Sequence, residues 1–268
     1  IHASTQMHIH NLDGTQLMEK LGMKRVVLAR ETSVDEIRYI KENSNIELEI
    51  FIHGALCISY SGQCLMSSLI GGRSGNRGAC AGSCRLKYDV IDYNGNKLNK
   101  GDYPLSTKDL NSLEYIGELI DAGVASLKIE GRMKSPAYVA VVTRVYKSLM
   151  NQYENGEELK VNEKDFELLK AVFNREYTKG YLWNDLDIMN YSSPNHIGIP
   201  LGNVIGVTPK KIKIKLTRDI NQFEGIRFKQ ADKGMIINFL YDEKDNLISS
   251  SKKGSVIYLD NILGLTSL

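Results

Sequence analysis

The sequence predicts an α/β protein: a TIM-type (β/α)8 barrel that lacks its N-terminal units, followed by a small antiparallel β-barrel-like domain. Apolar strand segments alternate with helices over residues 1–155, and a glycine-rich loop at 57–84 holds every cysteine of the chain. From residue 199 onward the pattern changes to short strands separated by Gly, Asn and Asp turns. Strands that alternate with helices indicate a parallel sheet with helical crossovers, whereas closely spaced short strands indicate an antiparallel module.

The first strands and helices are predicted from the N-terminal part of the chain. Residues 1–5 form the first predicted strand, and a polar turn leads into a helix through TQLMEKLG. RVVLAR predicts a second strand over 25–30. Thr32 or Ser33 begins the next helix, because a hydroxyl side chain can accept a hydrogen bond from a free backbone N–H group. ELEIFIHG then predicts a third strand over 47–54.

Two more strand–helix units follow the cysteine loop. Asn94-Gly95 predicts a hairpin turn, since both residue types tolerate positive φ angles. The predicted elements after it are a strand over 103–110, a helix over 112–123 and a strand over 126–131. The next helix begins with Ser135 as its cap and Pro136 in its first turn, a position where the missing N–H of proline costs nothing.

These segments amount to about five strand–helix units. A closed barrel has eight units in about 250 residues, so three units, or roughly 90 residues, would precede Ile1. The chain also begins inside a predicted strand, which favours a truncated barrel over an open, doubly wound sheet that is complete as it stands. Truncation predicts an exposed edge at the first strand unless a second copy of the chain, a partner subunit or an absent segment covers it.

The sequence divides into a partial barrel over 1–155, a helical linker region over 156–198 with a helix near 163–174, and a small β domain over 199–268. The β domain contains a basic strand, KIKIK, in which Lys and Ile alternate. This alternation predicts a lysine face and an apolar face, and the lysine face is either solvated or in contact with RNA. The basic residues of this region are Lys210, Lys211, Lys213, Lys215 and Arg218.

Composition excludes several classes of protein. The 268 residues are 42% hydrophobic and 25% charged, which is typical of a globular protein, and a formal charge of +2 does not by itself argue for nucleic-acid binding. No apolar run approaches the roughly 18 residues of a membrane span. No cationic leader with an apolar core precedes the first predicted strand, so we expect a cytoplasmic protein.

The cysteines are the most specific chemical signal. Cys57, Cys64, Cys80 and Cys84 are separated by six, fifteen and three residues, and we interpret them as ligands of one metal centre. Zinc sites usually contain two short pairs of ligands, and only the last two cysteines resemble one, so the spacing favours a [4Fe-4S] cluster. Zinc and a pair of disulfides stay open as alternatives. No acidic residue lies between Glu49 and Asp89, so the loop offers positive charge to balance four thiolates.

Three segments carry a resemblance to a known family. ELEIFIHGALCISYSGQCLMS (47–67) resembles the signature of the peptidase U32 family. GGRSGNRGACAGSCR (71–85) and LKIEGRMKSPAYVA (127–140) are similar to the branch that contains the bacterial tRNA hydroxylation proteins and their collagenase-like relatives.

The resemblance implies a [4Fe-4S] cluster on Cys57, Cys64, Cys80 and Cys84. It also implies oxygen insertion, since relatives hydroxylate a tRNA wobble uridine, a ribosomal cytidine or a ubiquinone precursor, with prephenate as oxygen source in the RNA branch. The favoured function is therefore a prephenate-dependent tRNA hydroxylase. The family's older name keeps a collagenase-like hydrolase as an alternative, and a non-catalytic RNA-binding module is a third.

Candidate site residues lie where a barrel places its active site, at the C-terminal ends of strands. A small dicarboxylate such as prephenate needs at least two cationic anchors. The available substrate-binding candidates are Arg30, Lys108, Lys128 and Arg132, of which we favour Lys128 and Arg132. His53, four residues before the first cysteine, is a candidate proton donor or a residue that tunes the cluster from behind its ligands, with a hydrogen-bonded core histidine as the alternative. Glu130 is a further candidate, although burial beside a Lys or Arg is the simpler expectation for it and for Glu49. The full set at strand ends is Gln6, Arg30, Glu31, His53, Lys108, Asp109, Lys128, Glu130 and Arg132.

An RNA substrate requires phosphate contacts outside the active cavity. Arg73, Arg77 and Lys87 lie in or just after the cysteine loop and are the expected contacts, together with the basic β domain. The predicted partners are thus tRNA and a small dicarboxylate.

Overall fold

The computed structural model describes residues 1–266 and divides into two compact units, Ile1–His196 and a second unit that begins at Ile197. The first unit contains six strands and six α-helices among the described residues. The strands are β1 (His2–Ala3), β2 (Arg25–Val27), β3 (Glu47–Ala55), β4 (Asp109–Asn111), β5 (Ser126–Ile129) and β6 (Tyr177–Thr178). The helices are α1 (Leu12–Lys20), α2 (Val34–Glu42), α3 (Met66–Gly71), α4 (Ile116–Asp121), α5 (Pro136–Glu154) and α6 (Glu163–Val172).

The strand β3 is the centre of the first sheet. Glu49 pairs with β2 on one edge of β3 and with β5 on the other, and both pairings are parallel. β1 continues the sheet beyond β2, again in parallel, and pairs with β2 alone among the described strands. His53, farther along β3, pairs with Asn111 of β4 and with Ile129 of β5, so β4 follows β2 along the same edge of β3.

The direction of β4 departs from the predicted parallel sheet. The sequence predicts a strand over 103–110, whereas β4 is a three-residue strand that runs antiparallel to β3 and parallel to β6. All three of its residues are buried although two are polar, and a strand this short has no hydrophobic pattern from which its direction can be read. Closure of the sheet into a barrel stays a prediction.

Local capping explains where the two best-predicted helices begin. At α2, Glu36 accepts a hydrogen bond from the backbone N–H of Ser33 at 2.8 Å, and the Ser33 hydroxyl accepts one from the N–H of Glu36. This capping box satisfies N–H groups that have no partner inside the helix. Ser135 accepts a hydrogen bond from the N–H of Tyr138 in the same way, and Pro136 occupies the first turn of α5 as predicted.

A single apolar core joins the sheet of the first unit to its helices. Leu48, Ile50 and Ile52 alternate along β3 and are almost completely buried. Leu169 of α6 belongs to the same core, and β6 pairs with β4. Residues 156–196, predicted as a linker region, are therefore part of the first unit.

The second unit is built of short strands. They are β7 (Gly202–Val207), β8 (Lys211–Leu216), β9 (Ile220–Asn221), β10 (Gly225–Phe228), β11 (Lys233–Ile236), β12 (Leu240–Tyr241), β13 (Leu247–Ile248), β14 (Ser250–Ser251) and β15 (Val256–Asp260). Five of them form an antiparallel sheet in the order β13-β12-β15-β8-β7, and β10–β11 and β9–β14 form two antiparallel pairs. The sequence missed β9, β13 and β14, which have two residues each and leave no readable alternation.

The two faces of β8 differ as its sequence predicts. Ile212, Ile214 and Leu216 are buried in the core of the second unit. The intervening lysines face away from that core, and Lys211 forms ion pairs with Asp245 at 3.3 Å and Asp260 at 3.1 Å. Among residues 1–266, no helix has the length and hydropathy needed to cross a lipid bilayer.

Candidate functional site

The cysteine loop connects the end of β3 to the segment before β4. Cys57 lies two residues after the end of β3, α3 lies between Cys64 and Cys80, and a short 3-10 turn over Ser83–Arg85 contains Cys84. All four cysteines are free thiols; Cys80 is exposed and the others are partly buried. The disulfide alternative is therefore not realised in this structure.

The four thiols affect one another's ionisation. Burial raises the pKa of Cys84, and the thiols of Cys57, Cys64 and Cys80 raise it further, while Arg85 acts in the opposite direction. Burial likewise raises the pKa of Cys57, against the effect of Arg30. The loop thus brings the predicted ligands into one electrostatic neighbourhood. Within residues 1–266, however, no three His, Cys, Asp or Glu side chains are grouped tightly enough to hold a single metal ion.

The chemistry of this neighbourhood fits an iron–sulfur cluster. Four thiolates are the usual ligand set of a [4Fe-4S] cluster, and hydrogen bonds to their sulfurs help to set its potential. The sulfur of Cys80 accepts a hydrogen bond from the N–H of Gly82 at 3.4 Å and a longer one from the Ser67 hydroxyl at 3.9 Å. A backbone hydrogen bond at Ser59 lowers the pKa of Cys57. Each of these contacts favours the ionised sulfur that a metal requires.

Two close contacts hold the first half of the loop. Gly62 has a φ of +74°, and a Cβ atom there would collide with the backbone carbonyl of Gln6, so only glycine allows the loop to approach the segment after β1. Asn76 then donates a hydrogen bond to the carbonyl oxygen of Gly62 at 2.6 Å. The loop is in this way fixed against the N-terminal part of the sheet.

Arg85 holds the end of the loop. Its guanidinium group donates to the carbonyl oxygen of Leu56 at 3.0 Å, to the Thr107 hydroxyl at 2.7 Å and to the Ser106 hydroxyl at 2.9 Å. Burial lowers the pKa of Arg85 to about 10. The sequence indicated only that Arg85 adds positive charge to the loop. In the structure its hydrogen bond to Leu56 links the segment around Cys84 to the residue that precedes Cys57.

Phe51 connects three of the predicted site residues. Its ring lies under the guanidinium carbon of Arg30 at 4.1 Å and near the ammonium group of Lys128 at 5.0 Å. Arg30 also forms an ion pair with Glu130 at 3.5 Å. Lys128 pairs with Glu49 at 3.3 Å, as expected for Glu49. These partners reduce the free positive charge that Lys128 can offer to a substrate.

Arg132 lies close to the cysteine loop, and Arg73 and Arg77 belong to it. A Cβ atom at Gly78 would lie 3.7 Å from a guanidinium nitrogen of Arg132, so this side chain reaches the loop. Arg73 and Arg77 are exposed within it, and Arg73 donates a hydrogen bond to the carbonyl oxygen of Ala79. Lys108 differs from them, because its ammonium group forms an ion pair with Asp187 at 2.7 Å.

His53 is a core residue, and its burial contradicts the predicted role as a proton donor to substrate. The side chain is 1% exposed, and its ring is surrounded by the rings of Tyr138, Tyr146 and Tyr177. Burial lowers the pKa of His53 to about 3, so the ring is neutral at physiological pH. Its Nδ1 atom lies 3.2 Å from the Tyr146 hydroxyl. The alternative of a hydrogen-bonded core histidine is correct.

The structure adds a buried charged cluster that the sequence did not reveal. Asp109, a strand-end residue of the predicted set, forms a buried ion pair with Arg175, which lies 66 residues away. Lys134 lies over the rings of Phe173 and Tyr138. Burial lowers its pKa to about 8.

One sequence signal did point to Lys134. It directly precedes Ser135, the cap of α5, where the positive end of the helix dipole disfavours a cation. A lysine at such a position requires a compensating anion or a function. Arg30 acts on the ionisation of Cys57, the Arg132 side chain reaches the loop at Gly78, and Lys134 is affected by Arg85 of the loop. We call these three residues the cationic rim.

Residues 1–190 match the sequence profile of Peptidase family U32. The matched region contains the cysteine loop, the cationic rim and the buried charged cluster. No solved structure shows a significant match to this chain.

Curated relatives carry two kinds of name. The chain is 36% identical over 235 residues to "23S rRNA 5-hydroxycytidine C2501 synthase" of Escherichia coli (strain K12), covering 84% of this chain and 36% of the relative. It is 43% identical over 183 residues to "tRNA hydroxylation protein P1" of Bacillus subtilis (strain 168), covering 66% and 43%. It is 39% identical over 196 residues to "Collagenase" of Porphyromonas gingivalis (strain ATCC BAA-308 / W83), covering 68% and 47%. The chain spans less than half the length of each of these relatives.

Proposed function

The chain belongs to Peptidase family U32, and from this premise we propose that it is an RNA-modifying hydroxylase that inserts oxygen at a carbon of a pyrimidine base. Two of its relatives are named for RNA hydroxylation, one on tRNA and one on ribosomal RNA. A tRNA uridine is the preferred target, because the identity to the tRNA hydroxylation protein is the higher of the two. The observation that carries this proposal is the group of four free thiols that act on one another beside the cationic rim.

We assign Cys57, Cys64, Cys80 and Cys84 as the ligands of a [4Fe-4S] cluster. Such a cluster supplies single-electron transfer when bound. The chain's own contribution is to compensate its charge: Arg85 and Arg30 favour the thiolate forms of Cys84 and Cys57, respectively, and the Gly82 amide donates to Cys80. The glycines of the loop let the backbone approach the sulfurs.

The cationic rim suits a small dicarboxylate co-substrate, for which prephenate is the expected compound. Arginine and lysine bind carboxylates through charge-assisted hydrogen bonds, and two anchors are needed to orient two carboxylates. Arg132 remains an anchor, as predicted from the sequence. Lys134 replaces Lys128 as the second, because Lys128 is paired with Glu49 whereas Lys134 contacts aromatic rings.

RNA contacts are proposed for the exposed arginines of the loop and for the lysine face of β8. The second unit has eleven Lys and Arg against seven Asp and Glu, a net charge of +4 in a chain whose total is +2. Lys213 and Tyr258 are register partners on β8 and β15, so a cation and an aromatic ring stand side by side on the exposed face. Lysines next to aromatic rings are typical of surfaces that bind single-stranded RNA.

The decisive experiment is mass spectrometry of nucleosides from tRNA and 23S rRNA, with and without the gene. Loss of a hydroxylated pyrimidine on deletion, and its return with the wild-type gene, is the expected result. A Cys80→Ser variant should fail to restore it, whereas Leu69→Ser should succeed, because Leu69 is an exposed residue of the same loop. Unchanged nucleosides in both RNAs after deletion would refute the proposal.

Peptide hydrolysis is the second candidate, because one relative is named a collagenase. The buried His53 is not positioned to activate a nucleophile, which weakens this candidate. Gelatin hydrolysis by the purified chain that persists after iron removal would favour it over RNA hydroxylation.

A further inference from the structure

A second group of polar side chains lies after the ends of β1 and β2 and shares Arg30 with the cationic rim. Five buried side-chain polar atoms of residues 1–266 lack a hydrogen-bond partner, and four of them belong to His8, Arg30, Glu31 and Thr32. Buried polar atoms are nearly always paired, because an unpaired one costs about 1–3 kcal/mol. Such a concentration at one place indicates a site that binds a polar ligand.

Glu31 is held so that one of its oxygens stays free. Its Oε1 atom accepts a hydrogen bond from the backbone N–H of Ser61 at 3.0 Å, and the Ser61 hydroxyl lies 3.4 Å from the same oxygen. Its Oε2 atom is buried without a donor, 3.9 Å from Nδ1 of His8, which is too far for a hydrogen bond. The carboxylate is therefore oriented by the loop, and Oε2 keeps an unused capacity to accept a hydrogen bond.

The ring of His8, which lies beside this carboxylate, contacts two further aromatic rings. His8 has a φ of +56°, a left-handed conformation that turns the chain after β1. Its ring centroid lies 4.8 Å from that of His10 and 5.9 Å from that of Tyr60. Tyr60 is 66% exposed, so the site is open to solvent at this ring. Flat rings beside a polar group are typical of proteins that stack an unpaired nucleobase.

The group is close to the cysteine loop. Tyr181 and Arg30 line a small internal cavity together with Thr32 and Phe51. Ser61, which lies between Cys57 and Cys64, joins the group to the loop: its backbone N–H donates to Glu31, and its hydroxyl accepts from the backbone N–H of Arg30 at 3.1 Å. The carboxylate and the exposed ring of Tyr60, the neighbour of Ser61, are thus both tied to the cysteine loop.

We propose that His8, Glu31 and Tyr60 form the pocket for the target pyrimidine, in which Glu31 Oε2 accepts a hydrogen bond from an N–H group on the Watson–Crick edge of the base. Uracil offers its N3–H at that edge, next to a carbonyl oxygen, and cytosine offers its N4–H, next to the N3 acceptor. In each base the unpaired Arg30 Nε–H can contact the neighbouring acceptor. Reading a base at this edge requires that it leave its helix. This inference rests on the proposed function and specifies the substrate site.

The test is a thermodynamic cycle that combines a change in the protein with a change in the RNA. Affinity is measured by fluorescence anisotropy for anticodon stem–loops that carry uridine or N3-methyluridine at the wobble position, since the methyl group removes the N3–H donor. Wild-type chain should bind the methylated RNA at least tenfold more weakly, because a hydrogen bond to a charged group contributes about 1.5–3 kcal/mol. Glu31→Ala should bind both RNAs equally, at the affinity of wild type for the methylated one.

Controls separate folding from recognition. Glu42→Ala removes an exposed carboxylate at the end of α2 and should keep the wild-type preference. Glu31→Gln keeps the shape of the side chain and an acceptor oxygen, so it should show an intermediate preference. A parallel cycle with a ribosomal RNA hairpin carrying cytidine or N4,N4-dimethylcytidine covers the other pyrimidine.

The outcomes distinguish the two proposals. The pocket is refuted if wild type binds the methylated and unmethylated forms of both RNAs with equal affinity. It is also refuted if the affinity lost on methylation and the affinity lost in Glu31→Ala add independently. RNA hydroxylation detected in the nucleoside experiment would survive that result. If no hydroxylated nucleoside depends on the gene while the preference is observed, the pocket stands as a pyrimidine-binding site and the proposed reaction fails.

Discussion

Replacing Arg175 by Met should destabilise the first unit by about 3–5 kcal/mol, because it leaves the carboxylate of Asp109 buried without its cation. The two side chains are 8% and 1% exposed. The substitution removes the guanidinium donors to Asp109, including Nε at 3.1 Å, and a hydrogen bond to the carbonyl oxygen of Pro194 at 3.2 Å. The backbone carbonyl of Arg175, which accepts from Asn190, is unaffected, so the loss measures the buried charge.

The assay is urea unfolding followed by tryptophan fluorescence. The chain has one tryptophan, Trp183, and it lies in the first unit, where its indole N–H donates to Glu118 at 2.7 Å. Its emission therefore reports the unfolding of that unit. Lys160→Ala is the matched control, because the ion pair of Lys160 with Glu158 is exposed and contributes at most about 1 kcal/mol.

A second variant tests the physical cause. Asp109→Leu combined with Arg175→Met removes both charges and should recover most of the lost stability, since a buried ion pair is often no more stabilising than apolar residues of similar volume. If Arg175→Met costs no more than Lys160→Ala, or if the double variant is less stable than the single one, the reasoning about an uncompensated charge is wrong.

Three further predictions follow from the candidate site. Replacing any one of the four cysteines by Ser should lower the iron content and the visible absorbance of the anaerobically purified chain. The control Ser68→Ala, in the same loop, should leave both unchanged. Equal iron content in all variants would contradict the ligand assignment. Burial lowers the pKa of Lys134 from 10.5 to about 8, so between pH 8 and 10.5 the unfolded chain binds more protons than the folded chain, and the free energy of unfolding should rise with pH. In Lys134→Met this rise should disappear. A pH profile of stability that is the same in wild type and variant would refute the shift. The double variant Arg73→Ala, Arg77→Ala should weaken tRNA binding and should reduce the slope of log K against log salt concentration by about 0.9 for each lost phosphate contact. Binding titrations at several salt concentrations measure this slope. Unchanged binding would remove the loop from the RNA interface.

Local signals in the sequence determined several elements of this protein. The caps at Ser33 and Ser135 act over three residues, so they can be read from the sequence and they fix where α2 and α5 begin. The alternation in β8 has the same local character, because successive side chains of a strand point to opposite faces. The cysteines gave the strongest chemical prediction because their residue type and spacing lie within one short loop.

Tertiary structure alone decided which charges meet. Arg175 reaches Asp109 across 66 residues, and Arg85 reaches Leu56 across 29, so no pattern of neighbouring letters announces either contact. The antiparallel direction of β4 and the burial of His53 likewise depend on which strands and tyrosines pack around them. A sequence shows each side chain's capacity for charge and hydrogen bonding, but the partner that uses this capacity is chosen by the packing of distant segments, where burial makes every unpaired group costly.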